Sequence, residues 1–148
     1  MIYTIRKANT NDLKAIYDLV VELAVYENEP DAVTATLTDY EKNFNAQVFQ
    51  TIIAEHNGEI IGACIYYMTW STWKGRMVYL EDFIVTAAQR KKGVGQLLFD
   101  QFLIEAKEMD ATMVKWQVLD WNEPAIQFYE KNKASIEKEW WNGKIFFT

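Results

Sequence analysis

The sequence predicts an α/β sandwich built on one mixed sheet, and three observations support that prediction. Runs rich in β-branched and aromatic residues alternate with segments whose apolar residues recur at helical spacing. The predicted order is β-α-α-β-β-β-α-β-α-β-β, and strands mixed with helices are typical of this class. The 148 residues, half of them hydrophobic, are enough for one sizeable core. We therefore expect a single domain over residues 1–148.

The N-terminal third predicts one strand and two helices. Residues 2–8 have the composition of a strand, and Asn9-Thr10-Asn11-Asp12 then offers an N-cap. A second, weaker helix is predicted from Thr38 to about Ala46. The first helix, of about four turns, is predicted from an apolar stripe formed by Leu13, Ile16, Tyr17, Val20, Leu23 and Ala24.

A hairpin is predicted in the middle of the chain. Its strands lie near residues 49–56 and 59–69 and are joined by Asn57-Gly58, the strongest short-range hairpin signal. Residues 70–75 then form a loop, and Met77–Val85 is predicted as the next strand.

The C-terminal half predicts two helices and three strands. The first helix follows Val94 and extends to about Met109, and a strand is predicted at 112–119. Asn122-Glu123-Pro124 caps and starts a helix through about Asn132. An aromatic-rich pair of strands is predicted around 136–141 and 144–147, with Asn142-Gly143 as the turn.

The segment Arg90-Lys91-Lys92-Gly93-Val94-Gly95 lies between a predicted strand and a predicted helix. N–H groups at a helix N-terminus have no intrahelical partner and suit a phosphate or pyrophosphate. Gly93 and Gly95 would let the backbone approach that anion, and the three basic residues add positive charge. The simpler alternative is a surface loop with a basic run. The spacing matches neither a P-loop nor a dinucleotide-binding motif.

Composition excludes several classes of function. Fifteen basic and twenty-one acidic side chains give a net charge of −6, which argues against nucleic acid and suits a cationic small substrate, although solubility explains it equally well. A single cysteine, Cys64, and a single histidine, His56, argue against disulfides, a metal site and a Ser-His-Asp triad. No signal-like or membrane-length apolar segment is present, which predicts a cytoplasmic protein with no membrane partner.

Four separated segments carry a specific resemblance. They are Glu22–Glu27, Tyr79–Phe83, Arg90-x-x-Gly93-x-Gly95 and Trp121–Tyr129. Their order and spacing resemble the GNAT N-acetyltransferases, and in particular the spermidine/spermine (diamine) branch, over essentially the whole chain. The resemblance implies a GNAT-type three-layer sandwich with a mostly antiparallel sheet flanked by helices. It also implies acetyl-CoA as co-substrate, no metal, and a homodimer.

The resemblance also implies where acetyl-CoA would bind. Backbone groups of Phe83 and Val85 would hydrogen-bond the pantetheine arm as an added strand does. N–H groups from Lys91 to Gly95 would hold the pyrophosphate, while Asn122 would cap the next helix and could also reach the cofactor. The complete implied set is Phe83, Ile84, Val85, Arg90, Lys91, Lys92, Gly93, Val94, Gly95, Gln96, Asn122, Ala125 and Phe128.

Two residues are predicted to be catalytic. The resemblance places Tyr129 at the sulfur of the cofactor, where it would protonate the departing thiolate; the alternative is a core aromatic. A phenol of pKa about 10 and a thiol of pKa about 8.5 are a workable donor and acceptor pair. The resemblance assigns Glu81 to holding the substrate ammonium and relaying its proton through water. It places Tyr26 and Glu27 along the amine channel, although Glu27 could also be an exposed helix end. Asp82 points to the opposite face of a regular strand, which predicts a structural role.

Two departures bear on the substrate. Polyamine-acetylating relatives carry an acidic residue where this chain has Ser71, which argues against long polyamines. The family usually has glycine at the position of Lys133, so Asn132 is expected to take the left-handed conformation. The leading hypothesis is acetyl transfer to a small diamine, polyamine or lysine-like amine. The alternatives are a GNAT for an amino acid or aminoglycoside-like amine, and a catalytically silent CoA-binding module.

Overall fold

A computed structural model describes residues 2–147, which divide into two compact units. The first unit ends at Trp116 and the second begins at Gln117. The second unit contains one helix, α4 (Glu123–Lys131). The first contains β1 (Thr4–Lys7), α1 (Leu13–Tyr26), α2 (Leu37–Asn45), β2 (Gln50–His56), β3 (Glu59–Ser71), β4 (Gly75–Val85), α3 (Val94–Glu108) and β5 (Met113–Lys115). Within residues 2–147, no helix has both the length and the apolarity to cross a membrane.

The first unit is built on a five-stranded sheet with the order β1-β2-β3-β4-β5. Strands β1 to β4 pair antiparallel, whereas β4 and β5 pair parallel along Met77–Tyr79. A parallel neighbour needs a crossover connection, which α3 supplies. The prediction of a mixed, mostly antiparallel sheet is confirmed.

Helices α1 and α3 cover opposite faces of this sheet. On one face the apolar stripe of α1, including Leu13 and Ile16, packs on Ile53, Ala63 and Ile65. On the other face the Tyr66 and Phe102 ring centroids are 5.4 Å apart, with Phe102 on α3. Gly62 also faces α3, because a Cβ there would lie 2.8 Å from Leu98 Cδ1. The first unit therefore has the three layers that the sequence predicts.

The start of α1 is anchored by polar contacts. The Asn9 side chain accepts a hydrogen bond from the Asn11 N–H and caps the 3-10 turn Thr10–Asp12, which leads directly into α1. The predicted cap is therefore present, but one turn before α1, whose own N-cap residue Asp12 makes no side-chain capping hydrogen bond to the described residues of α1. Asp12 accepts from Arg6 Nη1 at 2.8 Å, and Arg6 Nε donates to Glu55 Oε1 at 2.8 Å. The Arg6 guanidinium lowers the pKa of the buried Asp12 carboxyl. These contacts connect β1, β2 and the entry to α1.

Three sequence predictions about strands and backbone conformation are wrong. The strand expected at 112–119 is limited to Met113–Lys115. The hairpin expected at 136–141 and 144–147 has no strand in the described residues; Trp141 is 94% exposed and Phe147 is 96% exposed. A two-stranded hairpin with no buried face is marginal in water. Lys133, at φ +66°, takes the left-handed conformation that was expected of Asn132, whose φ is −87°.

Candidate active site

The glycine loop connects β4 to the N-terminus of α3. Gly93 is the N-cap of α3 and has the left-handed backbone conformation, with φ at +88°. No heavy atom of the described residues beyond its chain neighbours lies within 4 Å of the position that a Cβ on Gly93 would take. The first N–H groups of α3 follow directly. The loop thus combines open space with the N-terminus of a helix, as a pyrophosphate site requires.

Gly95 differs from Gly93. Its φ is not in the left-handed region, and a Cβ there would lie 3.6 Å from Phe83 Cζ, which is an ordinary contact. The conformational need for glycine in this loop is therefore at Gly93.

Arg90 connects the loop to β4 and to the end of α1. Its Nε donates to the Val85 carbonyl at 2.9 Å. Its guanidinium carbon lies 4.9 Å from the centroid of the Tyr26 ring, within the range of a cation–π contact. The structure therefore brings a predicted cofactor residue next to a predicted substrate residue.

The far half of β4 has an edge that β5 leaves open. Strand β5 pairs with β4 only along Met77–Tyr79, so the stretch from Leu80 to Val85 is not paired with it. Phe83 stacks on Phe99 of α3, with centroids 5.9 Å apart. Open strand edges bind extended ligands by adding a strand, and the predicted pantetheine contacts Phe83, Ile84 and Val85 all lie here.

Glu81 is the extra residue of a β-bulge. In the register of β3 and β4, Ile65 pairs with Asp82 and Tyr66 pairs with Leu80, which leaves Glu81 without an opposite residue. A bulge changes which face the following residues point to. Accordingly Glu81 and Asp82 line the same cavity. The prediction that Asp82 points away from Glu81 is wrong.

The two neighbouring carboxyl groups have different surroundings. Tyr67 Oη donates to Glu81 Oε2 at 2.8 Å, and Glu81 is exposed. Asp82 is partly buried, and this burial together with the charges of Glu81 and Glu27 raises its pKa to about 7. Burial also raises the pKa of Glu27. Sequence reasoning missed Asp82 and Tyr67, although the adjacent Glu-Asp pair inside an apolar strand was a usable signal.

The cavity beside these carboxyl groups has a volume of about 290 Å³ and lies between α2 and the sheet. Val48, Phe49 and Ile65 form much of its apolar wall. An apolar cavity with carboxylates at its side suits an alkyl chain that carries an ammonium group. No group of three or more His, Cys, Asp or Glu side chains in residues 2–147 is arranged to hold a metal ion.

Four of the predicted residues lie in the second unit, namely Asn122, Ala125, Phe128 and Tyr129. Tyr129 is 7% exposed on α4, and its ring centroid lies 5.6 Å from that of Phe128. Ala125 is on the same helix. Asn122 is the N-cap residue of α4, as predicted, although its side chain forms no capping hydrogen bond to the described residues of that helix.

Ser71 lies at the end of β3 and stabilises the turn into β4. Its hydroxyl accepts hydrogen bonds from the Trp73 N–H at 3.3 Å and the Lys74 N–H at 3.1 Å. The side chain is therefore used by the loop itself.

Known proteins are similar to this chain in sequence or in fold. Residues 13–133 match the Acetyltransferase (GNAT) family. The human spermidine/spermine N(1)-acetyltransferase-like protein 1 is 31% identical over 150 residues, which cover 93% of this chain but only 22% of that protein. The thialysine N-epsilon-acetyltransferase of Bos taurus is 32% identical over 154 residues, which cover 93% and 88% of the two chains. An aminoglycoside acetyltransferase from an uncultured soil metagenomic sample, solved with trehalose, has a TM-score of 0.82 at 18% identity, covering 99% and 97% of the two chains, which shows a shared fold alone.

Proposed function

Because the chain belongs to the GNAT acetyltransferase family, we propose that it transfers the acetyl group of acetyl-CoA to a primary amine of a small cationic substrate. The amine attacks directly, without a covalent enzyme intermediate. The observation that carries the proposal is the pair of carboxyl groups on β4, which line an apolar cavity. The same strand also has an edge that β5 does not pair with beyond Tyr79. The negative charge of the carboxyl groups would hold an ammonium group, and the open edge would hold the cofactor arm.

The proposed acetyl-CoA site follows the open edge of β4 and the glycine loop. Backbone groups of Phe83 and Val85 would hold the pantetheine arm, and N–H groups from Lys91 to Gly95 would hold the pyrophosphate. The left-handed Gly93 and the open space in front of it support this placement.

A matched pair of variants tests the site. Gly93 and Gly58 both have a positive φ, +88° and +77°, and a Cβ at either position would meet no described heavy atom within 4 Å. Valine should therefore strain the backbone similarly at both. By calorimetry, Gly93→Val should lose CoA binding, whereas Gly58→Val in the β2–β3 turn should keep it. Unchanged CoA affinity in folded Gly93→Val would refute the placement.

We assign the chemistry to three groups. Glu81 and the adjacent Asp82 hold the ammonium and receive its proton. This step is needed because an amine of pKa about 10 arrives protonated and must lose a proton before it can attack. Tyr26 and Glu27 line the amine channel. Tyr129 protonates the departing thiolate.

The proposed substrate is a short diamine or a lysine-like amine. The relatives named above are a thialysine acetyltransferase and a protein named for its likeness to spermidine/spermine acetyltransferase. A third relative, L-ornithine N5-acetyltransferase NATA1 of Arabidopsis thaliana, is 32% identical over 82 residues, which cover 55% of this chain and 36% of that protein. Ser71 offers no charge for the far ammonium of a long polyamine, which favours the shorter amines.

A thiol-release assay tests this function. The panel contains putrescine, thialysine, lysine, ornithine, spermidine, spermine and an aminoglycoside. We expect acetyl-CoA turnover with putrescine or thialysine at a higher kcat/KM than with spermine or the aminoglycoside. Tight acetyl-CoA binding with no thiol release for any amine would instead identify a silent CoA-binding module.

We also propose one domain, a homodimer and a cytoplasmic location. The family match at 13–133 extends across the boundary at Trp116, which supports a single domain. Large apolar side chains near the C-terminus are exposed in the single chain, and aromatic residues are enriched in interface cores. These are Trp140, Trp141, Ile145, Phe146 and Phe147. Light scattering at micromolar concentration should give twice the mass of 17.3 kDa, and a monomer mass would contradict the dimer.

A further inference from the structure

We propose that Asp82, rather than Glu81, is the group that takes the proton from the attacking amine, while Glu81 holds the ammonium. This inference rests on the proposed acetyltransferase function and assigns separate tasks to two neighbouring carboxyl groups. It depends on the β-bulge, the hydrogen bond to Glu81 and the unequal burial of the two side chains.

The bulge makes the assignment possible. In a regular strand, successive side chains point to opposite faces, so only one of the two residues could reach the amine. Here the pairing of Ile65 with Asp82 and of Tyr66 with Leu80 leaves Glu81 as the extra residue. Both carboxyl groups consequently line the cavity between α2 and the sheet. A substrate ammonium in that cavity can contact both at once.

The surroundings then differentiate the two groups. Glu81 is exposed, and its Oε2 accepts a hydrogen bond from the Tyr67 hydroxyl at 2.8 Å, which fixes this carboxyl group beside the cavity. Asp82 is more buried and has two carboxylates nearby, which favour its protonated form. As a result its pKa is raised to about 7, near the value that suits a general base at neutral pH.

Several ionisable groups face Asp82 from the elements around it, and all carry negative charge or none. The carboxyl groups are Glu81 on β4, Glu27 after α1 and Asp39 on α2, which lines the same cavity. The phenols are Tyr40 on α2, Tyr67 on β3 and Tyr79 on β4. The charge of Asp82 contributes to the raised pKa of each of these phenols. A cationic substrate would therefore enter surroundings that favour its charge, and it would relieve the repulsion between the carboxylates.

Proton transfer and acetyl transfer together conserve every atom and electron pair. An N–H bond of the ammonium breaks, its proton passes to a carboxyl oxygen of Asp82, and the freed nitrogen lone pair forms the bond to the acetyl carbonyl carbon. The carbon–sulfur bond breaks, with its electron pair going to sulfur, which takes a proton from Tyr129. The second nitrogen proton restores Tyr129 through solvent, and Asp82 releases its proton to water. One amide, one thiol and one proton result from one ammonium and one thioester.

The pH dependence of kcat/KM tests the inference, with putrescine and thialysine as the amines. Wild type should lose activity as pH falls through about 7, the pH at which Asp82 becomes protonated. Asp82→Asn should lower kcat/KM at pH 7.5 by roughly 10²-fold or more. It should also remove the acidic limb of the pH profile, which is the loss of activity below about pH 7. Its kcat/KM should then rise about tenfold per pH unit toward the pKa of the amine near 10, because only free amine reacts. A merely structural role would not produce this rescue at high pH.

Glu81→Gln provides the contrast. It should raise KM for the amine and keep the acidic limb, with a midpoint at lower pH because a neighbouring negative charge has been removed. Asp18→Asn, an exposed charge removal on α1, should leave the whole profile unchanged. Circular dichroism confirms that each variant is folded.

The outcomes distinguish a failure of the Asp82 assignment from a failure of the proposed acetyltransferase function. If wild type releases no thiol with either amine, the proposed function fails for these substrates. If wild type is active but Asp82→Asn keeps the limb near pH 7, or Glu81→Gln abolishes it, the assignment of the proton to Asp82 is wrong.

Discussion

Replacing Asp82 by asparagine should stabilise the protein much more at pH 8 than at pH 5. Burial and the charges of Glu81 and Glu27 raise the pKa of Asp82 from 3.8 to about 7 in the folded chain. The unfolded chain leaves the same carboxyl in water with its ordinary pKa. A carboxyl whose pKa is higher in the folded state is a cost to folding once it ionises. Stability is therefore lost as pH rises from about 4 to about 7, and the loss is constant above that.

The magnitude follows from this pH window. Each pH unit within it changes the free energy of unfolding by about 1.4 kcal/mol. Between pH 5 and pH 7 the folded protein therefore loses about 3 kcal/mol through Asp82. Asparagine stays neutral and avoids this loss. The stabilisation by Asp82→Asn should be about 3 kcal/mol larger at pH 8 than at pH 5, or roughly 6–12 °C in Tm for a chain of this length.

Urea unfolding of both proteins at pH 5 and pH 8 provides the four free energies. Any constant gain or loss from the new amide hydrogen bonds cancels in the double difference. Asp18→Asn is the control, because Asp18 is exposed and pairs with Lys14 at 2.6 Å on the same helix. Its effect should stay within about 0.5 kcal/mol at both pH values. A double difference near zero for Asp82→Asn would show that this carboxyl titrates like an exposed one.

Three further predictions concern catalysis, folding and substrate choice. Tyr129→Phe should keep acetyl-CoA affinity and lower kcat by roughly 10²–10⁴-fold in steady-state kinetics; a kcat within a few-fold of wild type would make Tyr129 only a core aromatic. Lys133→Gly should raise the free energy of unfolding by about 1 kcal/mol, because Lys133 has φ at +66°; no gain in urea unfolding would contradict this. Ser71→Asp should raise kcat/KM for spermine relative to putrescine by roughly tenfold, since it adds a charge for the far ammonium; an unmoved ratio, or a wild type that prefers spermine, would refute that reasoning.

Most of the fold could be predicted because its elements carry local signals. The Asn9 cap, the Asn57-Gly58 turn and the apolar stripe of α1 each depend on residues close in sequence. The failures occur where a strand needs a distant partner. Residues 112–119 have the composition of a long strand, yet only Met113–Lys115 pairs with β4. Residues 136–147 have strand-like aromatics but no strand in the described chain, since β-propensity does not provide an edge to pair with.

The candidate site was predictable to a different degree at each residue. Glu81 and the glycine loop could be identified because the motif spacing marks them and the strand-loop-helix order explains them. The contacts of Arg90 with Val85 and Tyr26 could not be predicted from the sequence, because they depend on how closely α1 approaches the loop in three dimensions.

Asp82 was misassigned because alternation along β4 contains no information about a bulge. Val78, Leu80 and Ile84 are all buried and all even-numbered, as in a regular strand. However, Leu80 pairs with Tyr66 on the α3 side, whereas Ile84 belongs to the core beneath α1. A sheet covered on both faces buries both sets of side chains, so a change of face leaves the apolar pattern intact. Two adjacent acidic residues in such a regular strand would point to opposite faces, and burying each carboxyl group in an apolar layer would reduce the stability of the fold. A bulge that turns both side chains toward one cavity removes that conflict. We infer that it also places Asp82, the general base, next to Glu81, which holds the substrate ammonium.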